Sequence, residues 1–367
     1  MMLKLFDLSL KLSGFPIEEG KKQFEEILAV PKSDYEGFID KKKTEIVNFH
    51  LQNNSFYSEL NGSGTFNNWN DLPVLTKKNL QKPLSERLSK GYSEKNVFLN
   101  KTSGSSGEPF IFAKDKHAHA VTWASIIYRF GWFGVDFNTS YQARFYGIPK
   151  DFIGYRKERL KDFLSKRYRF SIFDLSDEIL EGFLKHFRTK KFDYINGYTS
   201  SIVLFAKFLK QKKIILKDIC PTLKVCMATS EMLFEADKLL LETQFGIPIV
   251  NEYGASELDL IAFQNAEGEW QVNAETLFVE ILDDDDQPVP NGKEGRIVIT
   301  SLFNKAHPFI RYDIGDIGIL DEKSMLKKPI LKQLIGRTND VAVLPSGKKS
   351  PGLTFYYVTK SIIEDDG

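Results

Sequence analysis

Residues 247–257 read IPIVNEYGASE. Ile247–Val250 is a short apolar run rich in branched side chains, which favour strands. Asn, Glu, Tyr and Gly follow at once, so the run gives way to a polar loop within a few positions. A strand that ends in a glycine turn presents its last side chains at the carboxyl edge of a parallel sheet, the edge where α/β proteins bind ligands. Tyr253 offers a flat ring for stacking, and Glu257 offers a hard oxygen ligand suited to Mg²⁺. Taken alone, the segment reads equally as a strand–loop junction with a solvated glutamate.

The texture on either side supports a strand. Short apolar runs (NVFLN, PFIFA, YQARFYG, FDYIN, LKVCMA) precede it, separated by longer amphipathic stretches such as TSSIVLFAKFLKQKK and EMLFEADKLLLETQF. Strands alternating with helices predict an α/β region with a largely parallel sheet over 96–265. Residues 1–95 predict mainly helices joined by polar loops. The opening MMLKLFDLSLKL is amphipathic and is expected to pack on the body of the protein. From 266 to 335 the pattern alternates at period two, as in WQVNAETLFVEILDDDDQPVPNGKEGRIVIT, and predicts a β-rich part. The acidic run Asp283–Asp286 reads as a hairpin tip, since the loop spacing of a calcium-binding hand is absent.

Composition narrows the function classes. The chain has 367 residues with 42% hydrophobic and 27% charged side chains, the profile of a globular protein rather than a disordered one. A net charge of +1 supplies no basic field to recruit nucleic acid, and Lys41–Lys43 and Lys166-Arg167 read as solvated faces. No apolar stretch reaches the length of a membrane span and no signal peptide opens the chain, so a cytoplasmic protein is expected. Cys220 and Cys226 are the only cysteines. Such sparse use suits a reducing compartment and leaves a structural zinc site short of ligands. His117 and His119 fit one side of an extended segment as ordinary surface residues. No His-centred triad and no G-x-S-x-G is present.

Three further segments carry candidate chemistry. Residues 102–109, TSGSSGEP, combine two glycines with hydroxyls at Thr102, Ser103, Ser105 and Ser106. Successive N–H groups there form an anion nest suited to phosphate oxygens. It is not a Walker loop, because Glu108-Pro109 stands where the G-K-[ST] ending belongs. Residues 311–318 read RYDIGDIG and residues 336–340 read GRTND. An aspartate in a glycine-flanked turn can accept from sugar hydroxyls, and an arginine fork can grip hydroxyl or phosphate oxygens. Each of these also reads as turn chemistry with an incidental charge.

In order, TSGSSGEP, NEYGASE, RYDIGD and GRTND resemble the successive signatures of the adenylate-forming superfamily. The match is nearest to its phenylacetate–CoA ligase-like branch, which includes proteins of capsule and surface-polysaccharide biosynthesis. DLPVLTKKNL, YINGYTSSIVLFAKFL and KVCMATSEML fall in the expected order as well. The resemblance implies an α/β fold: a large N-terminal domain over 1–335, with mixed β-sheets flanked by helices and a β-rich subdomain. Residues 336–367 would form the hinge and the beginning of a small C-terminal domain. It implies ATP or AMP, Mg²⁺, and CoA or a carrier thiol as cofactors. A carboxylic acid would be the substrate, and a carrier protein or amino sugar an acceptor.

By the same resemblance, Thr102, Ser103, Gly104, Ser105, Ser106 and Gly107 would close over the phosphates. Ser230, Glu231, Glu252, Tyr253, Gly254 and Ala255 would line the adenine slot, with Tyr253 stacking. Ser256 would approach the α-phosphate, Glu257 would hold Mg²⁺, and Asp316 with Arg337 would bind the ribose hydroxyls. The implied reaction is attack of the carboxylate on the α-phosphorus, giving acyl-adenylate and pyrophosphate, then acyl transfer to a thiol or an amine. Aromatic FGWFGVDFNTSYQARFYG (130–147) reads either as acyl pocket or as packed core. The family continues through a full small domain bearing a catalytic lysine, whereas this chain ends at Gly367 soon after GRTND. The incomplete domain leaves a second reading open, a non-catalytic nucleotide-binding or scaffold homologue.

Overall fold

A computed structural model describes residues 4–62, 66, 68–102, 110–147, 152–337, 341–343 and 349–351. Its strands begin with β1 (Phe98–Lys101), β2 (Ile111–Lys114), β3 (Gln142–Phe145), β4 (Arg167–Phe170) and β5 (Tyr194–Tyr198). They continue with β6 (Val225–Thr229), β7 (Ile249–Ala255), β8 (Asp259–Gln264), β9 (Trp270–Val272) and β10 (Leu277–Leu282). The last are β11 (Glu294–Ser301), β12 (Tyr312–Leu320), β13 (Ile330–Arg337), β14 (Val341–Val343) and β15 (Lys349–Pro351). The chain divides into two compact units.

The first unit comprises Met1–Lys21, Thr122–Ala255 and Asp259–Gly268. Its strands run in the order β8-β7-β6-β5-β3-β4, parallel from β4 through β7, with β8 antiparallel to β7. A parallel sheet needs cover on both faces, and the alternation along each strand supplies it. Ala143, Phe145, Ile195, Cys226 and Ile249 face a core shared with Leu184, Phe187, Phe205 and Leu209. These come from helices Asp177–Thr189 and Thr199–Gln211. Tyr194, Val225, Met227 and Val250 face the other way, toward Phe130, Val135 and Phe263. The core is aromatic: Phe170 and Phe187 stack at 5.4 Å with planes 2° apart. Helix Leu5–Leu12 buries Phe6 and Leu10 with Ile17 and packs against Trp123 and Phe137, the docking expected of the amphipathic opening.

The second unit comprises Lys22–Val121, Ser256–Leu258 and Glu269–Gly367. Here β10, β11, β12 and β13 form an antiparallel run with β9 on β13. Asp283–Asp286 turns the chain between β10 and β11, with Asp286 at φ 61°. Its cation is internal, since Arg296 binds both Asp286 and Asp313. Helices Tyr35–Asn53 and Ser55–Leu60 meet at Asn54, whose side chain accepts from the Tyr57 N–H (2.9 Å) and caps the second helix. The interior is unusually polar. His50 Nε2 donates to the Asn304 carbonyl (2.9 Å), Ser89 donates to His50 Nδ1 (3.2 Å), and Arg87 donates to His307. Burial holds the His50 imidazole neutral, with its pKa down to about 4.

Two expectations need correction. NVFLN and PFIFA do not enter the parallel sheet; β1 and β2 pair only with each other, antiparallel, with Lys101 opposite Ile111. A short polar connection leaves no room for the crossover that parallel strands require. His117 and His119 lie on helix Lys116–Gly131, not on an extended segment. His119 is 6% exposed and stacks on Phe98 at 4.1 Å. The apolar Ala118, Ala120 and Val121 beside it are buried with it, which draws the ring into the core.

Candidate active site

In the first unit the expected residues collect where the parallel strands end. Thr229 closes β6 and donates its hydroxyl to Glu252 Oε1 in β7 (3.0 Å). Burial raises the Glu252 pKa, opposed by the Thr229 bond and the charge of Arg144. Ser230 follows at φ 70°, a left-handed conformation that costs a non-glycine residue about 1 kcal/mol or more. Glu231 accepts from the backbone N–H of Ser200 (2.6 Å) and from its hydroxyl (3.1 Å), placing a carboxylate at the N-terminus of helix Thr199–Gln211. Tyr146 and Tyr198 lie beside them with ring centroids 4.7 Å apart. Burial pushes the Tyr146 pKa up to about 12.

Gly254 lies inside β7 rather than in a turn. A Cβ there would stand 2.4 Å from the Asp259 carbonyl oxygen, so close backbone approach requires glycine. Ala255 pairs with Asp259 in β8, and Ser256–Leu258 is the connection between them. Tyr253 is buried at 7% exposure.

In the second unit Glu257 is buried, and Tyr312 donates its phenol to Glu257 Oε1 (2.9 Å). Burial, and then the Glu257 charge, drive the Tyr312 pKa far above that of a free phenol. The hydroxyl therefore stays a donor and orients the carboxylate. Lys114 donates to the Ser256 carbonyl (3.3 Å), while Ser256 itself is exposed. Asp316 is buried in β12, opposite Arg337 of β13. From Tyr312 on, RYDIGD is thus strand, not turn, with Gly315 at φ 85° inside a register shift against β11. Arg311 is fully buried and donates to the carbonyls of Asn70, Leu72 and Asp286, which is a structural use.

At the phosphate loop, Thr102 donates its N–H to the Phe110 carbonyl and accepts from the Phe110 N–H, both at 3.1 Å. Ser103, Gly104, Ser105, Ser106 and Gly107 lie outside the described residues, as do Thr338–Asp340. Among the described residues no group of three or more His, Cys, Asp or Glu could hold a metal. None of their helices is long and apolar enough to cross a membrane.

No family model matches the chain. In sequence it is 25% identical to protein CapK of Staphylococcus aureus over 318 residues, 81% of this chain and 66% of CapK. It is 28% identical to phenylacetate-coenzyme A ligase of Aromatoleum evansii over 131 residues, 34% of this chain and 29% of that enzyme. In structure it resembles an open conformation of 2-hydroxyisobutyryl-CoA ligase in complex with its acyl-AMP and CoA. The TM-score is 0.67 at 15% identity, over 88% of this chain and 79% of that one. The fold is that of an adenylate-forming ligase. The two sequence relatives support the phenylacetate–CoA ligase-like side of that superfamily. The chain spans about two thirds of CapK's length and less than a third of the phenylacetate ligase.

Within this adenylate-forming fold, the start of the aromatic stretch 130–147 packs on the core: Phe130 stacks on Phe263 at 5.3 Å, and the Phe137 ring meets Phe130 at 5.1 Å with the planes tilted by 48°. Two partners of the candidate residues were not singled out from sequence. Tyr312 stands inside the quoted RYDIGD and could have been suspected from that position. Lys114 ends the ordinary strand β2 and carries no local signal.

Proposed function

We propose that the chain uses ATP to activate a carboxylic acid as its acyl-adenylate and then hands the acyl group to a thiol, of CoA or a carrier, or to an amine. The observation that carries this reading is the order of four motifs on a ligase fold. The strand-end residues Thr229–Glu231 and Glu252 lie in one unit, and Glu257, Tyr312 and Asp316 lie in the other. In this reading Thr102–Gly107 surround the phosphates, and Ser230, Glu231 and Glu252–Ala255 flank the base, with Tyr253 as the stacking ring. Asp316 and Arg337 take the ribose and act with Ser256 near the reacting phosphorus. Gly336-Arg337 opens the hinge toward a smaller C-terminal part.

In the first step a carboxylate oxygen attacks the α-phosphorus. A carbon–oxygen–phosphorus bridge forms, the bond to the β-phosphate oxygen breaks, and pyrophosphate leaves. No general base is required, because the carboxylate is already ionised. The protein's task is to hold two anionic groups in line and to meet the charge that spreads over the phosphoryl oxygens. In the second step the thiol or amine attacks the acyl carbon and AMP departs.

Glu257 fits the part of a magnesium ligand. Tyr312 occupies one lone pair of its carboxylate, and a carboxylate retains others for a hard cation. Magnesium sites of this kind use one or two carboxylates together with substrate phosphates, not an all-protein cage. When bound, the ion would neutralise phosphate charge. Surface-polysaccharide assembly and aromatic-acid metabolism are the two settings that suit the relatives.

Carboxylate-dependent exchange of labelled pyrophosphate into ATP tests the reading. Exchange is expected with at least one acid of a broad panel, and Glu257→Gln should weaken it most at limiting magnesium. ATP binding without exchange for any acid would favour a non-catalytic homologue. Undiminished exchange in the Glu257→Gln variant would remove the metal role from Glu257.

A further inference from the structure

Arginines 144, 167 and 169 project from neighbouring strands of the first unit, with Arg144 opposite Arg169 across the β3–β4 pair. Two of them have carboxylate partners on helix Phe152–Leu164: Arg167 binds Asp162, and Arg169 binds Glu158 and Asp162. Arg144 has neither an ion pair nor a hydrogen bond to any described residue, and its Nε is buried. Its guanidinium lies 4.2 Å from the centroid of the Tyr146 ring. Strand alternation puts Ala143 and Phe145 into the apolar core and therefore turns Arg144 and Tyr146 to the other face. On that face lie Asn196 and Tyr198 of β5, Thr229 of β6 and Glu252 of β7. Glu252 is the nearest candidate for a counter-charge, yet its carboxyl is held by Thr229 and no ion pair joins it to Arg144.

A half-buried guanidinium without a carboxylate is expensive to keep, since desolvating it is not offset by a partner. Its planar fork is suited to gripping two anionic oxygens. From this geometry, and resting on the adenylation reading above, we infer that Arg144 holds a second anionic group on the acid substrate. The substrate class is then a dicarboxylate, or another acid with a remote anionic oxygen group. One carboxylate goes to the α-phosphorus, and the remote group pairs with Arg144 beside Tyr146. Arg144 is a specificity residue in this assignment and takes no part in bond making.

The test compares malonate, succinate, glutarate and phthalate with their monomethyl esters, which keep the shape but lose the second charge. Pyrophosphate exchange and thermal shift are measured on the wild-type chain, Arg144→Leu and Arg144→Lys. At least one diacid should support exchange about a hundredfold better than its ester. Arg144→Leu should erase that preference while leaving the ester's rate unchanged, and Arg144→Lys should restore part of it. Without ligand, Arg144→Leu should melt at the same temperature or higher, because it removes a half-buried charge without an ion pair; a structural arginine would lower it. Exchange with monoacids alone, indifferent to Arg144, overturns the inference and leaves adenylation standing. Diacids that raise the melting temperature only when Arg144 is present, with no exchange for any acid, keep the anion site at Arg144 but overturn adenylation and with it the role of the diacid as the activated substrate. Neither binding nor exchange of any diacid overturns both.

Discussion

The two units hold themselves together by different means. In the first, a parallel sheet is sandwiched between apolar layers, and rings do most of the packing: Phe145, Phe170, Phe187, Phe192 and Phe205 are all nearly inaccessible. In the second, antiparallel strands close over buried polar side chains. Tyr35 reaches the Ala274 carbonyl, His50 reaches Asn304, Asn304 reaches Ala113, and Arg311 reaches Asn70 and Leu72. Each of these links joins residues 191 or more positions apart. A βα succession brings neighbouring strands together through local connections, so apolar area suffices. The second unit must match an early helical segment to late strands. Directional groups with unsatisfied alternatives are what fix such a match.

That contrast can be broken at its most charged point. Arg311 faces Glu280 at 3.6 Å and donates to three carbonyls. Arg311→Ala takes the guanidinium from the buried Glu280 carboxylate and the donor from three carbonyls, and should cost about 3–5 kcal/mol in denaturant unfolding. Replacing both members by methionine should cost much less, and equal losses for the single and double variants would contradict the charge argument. In the first unit Phe187→Ala should cost a similar ~3–5 kcal/mol, but through a cavity. Phe187→Leu should then recover most of the loss, a rescue that a polar network cannot show.

A smaller and pH-dependent difference follows from His50 and His307, both held neutral chiefly by burial. His50 has a folded pKa of about 4 against an ordinary value of 6.5. Between those values the unfolded chain binds the extra proton. Stability is therefore full above 6.5 and falls as pH drops toward 4, by up to about 1.4 kcal/mol per pH unit for each histidine. Urea unfolding at several pH values should show that slope, and His50→Gln should reduce it. The smallest effect is at the cap: Asn54→Ala should cost about 0.5–2 kcal/mol, with Asn54→Asp recovering part of it.

The same contrast explains what was legible in the sequence. Period-two alternation exposed the strands of 266–335, and the alternation of strand and helix over 96–265 exposed the parallel sheet from β3 to β7. Glu252, Glu257 and Asp316 were legible because they stand in short motifs whose order matches a known fold. The polar interior of the second unit was not legible, because His50 and Asn304, or Arg311 and Leu72, carry no local pattern that predicts their meeting. Gly254 serves the approach of the Asp259 carbonyl, not the turn that its sequence suggests. Arg144 carries no local signal inside an ordinary strand, since what sets it apart is the carboxylate partner that Arg167 and Arg169 have and it lacks.

The central claim is that chemistry occurs at the α-phosphorus, and the fate of a carboxylate oxygen tests it most directly. An accepted acid labelled with heavy oxygen in its carboxylate is incubated with the chain, ATP, magnesium and hydroxylamine as acceptor. The account predicts one labelled oxygen in AMP, unlabelled pyrophosphate and an acyl hydroxamate. Label in inorganic phosphate, with ADP as the nucleotide product, would place the attack at the γ-phosphorus and contradict it.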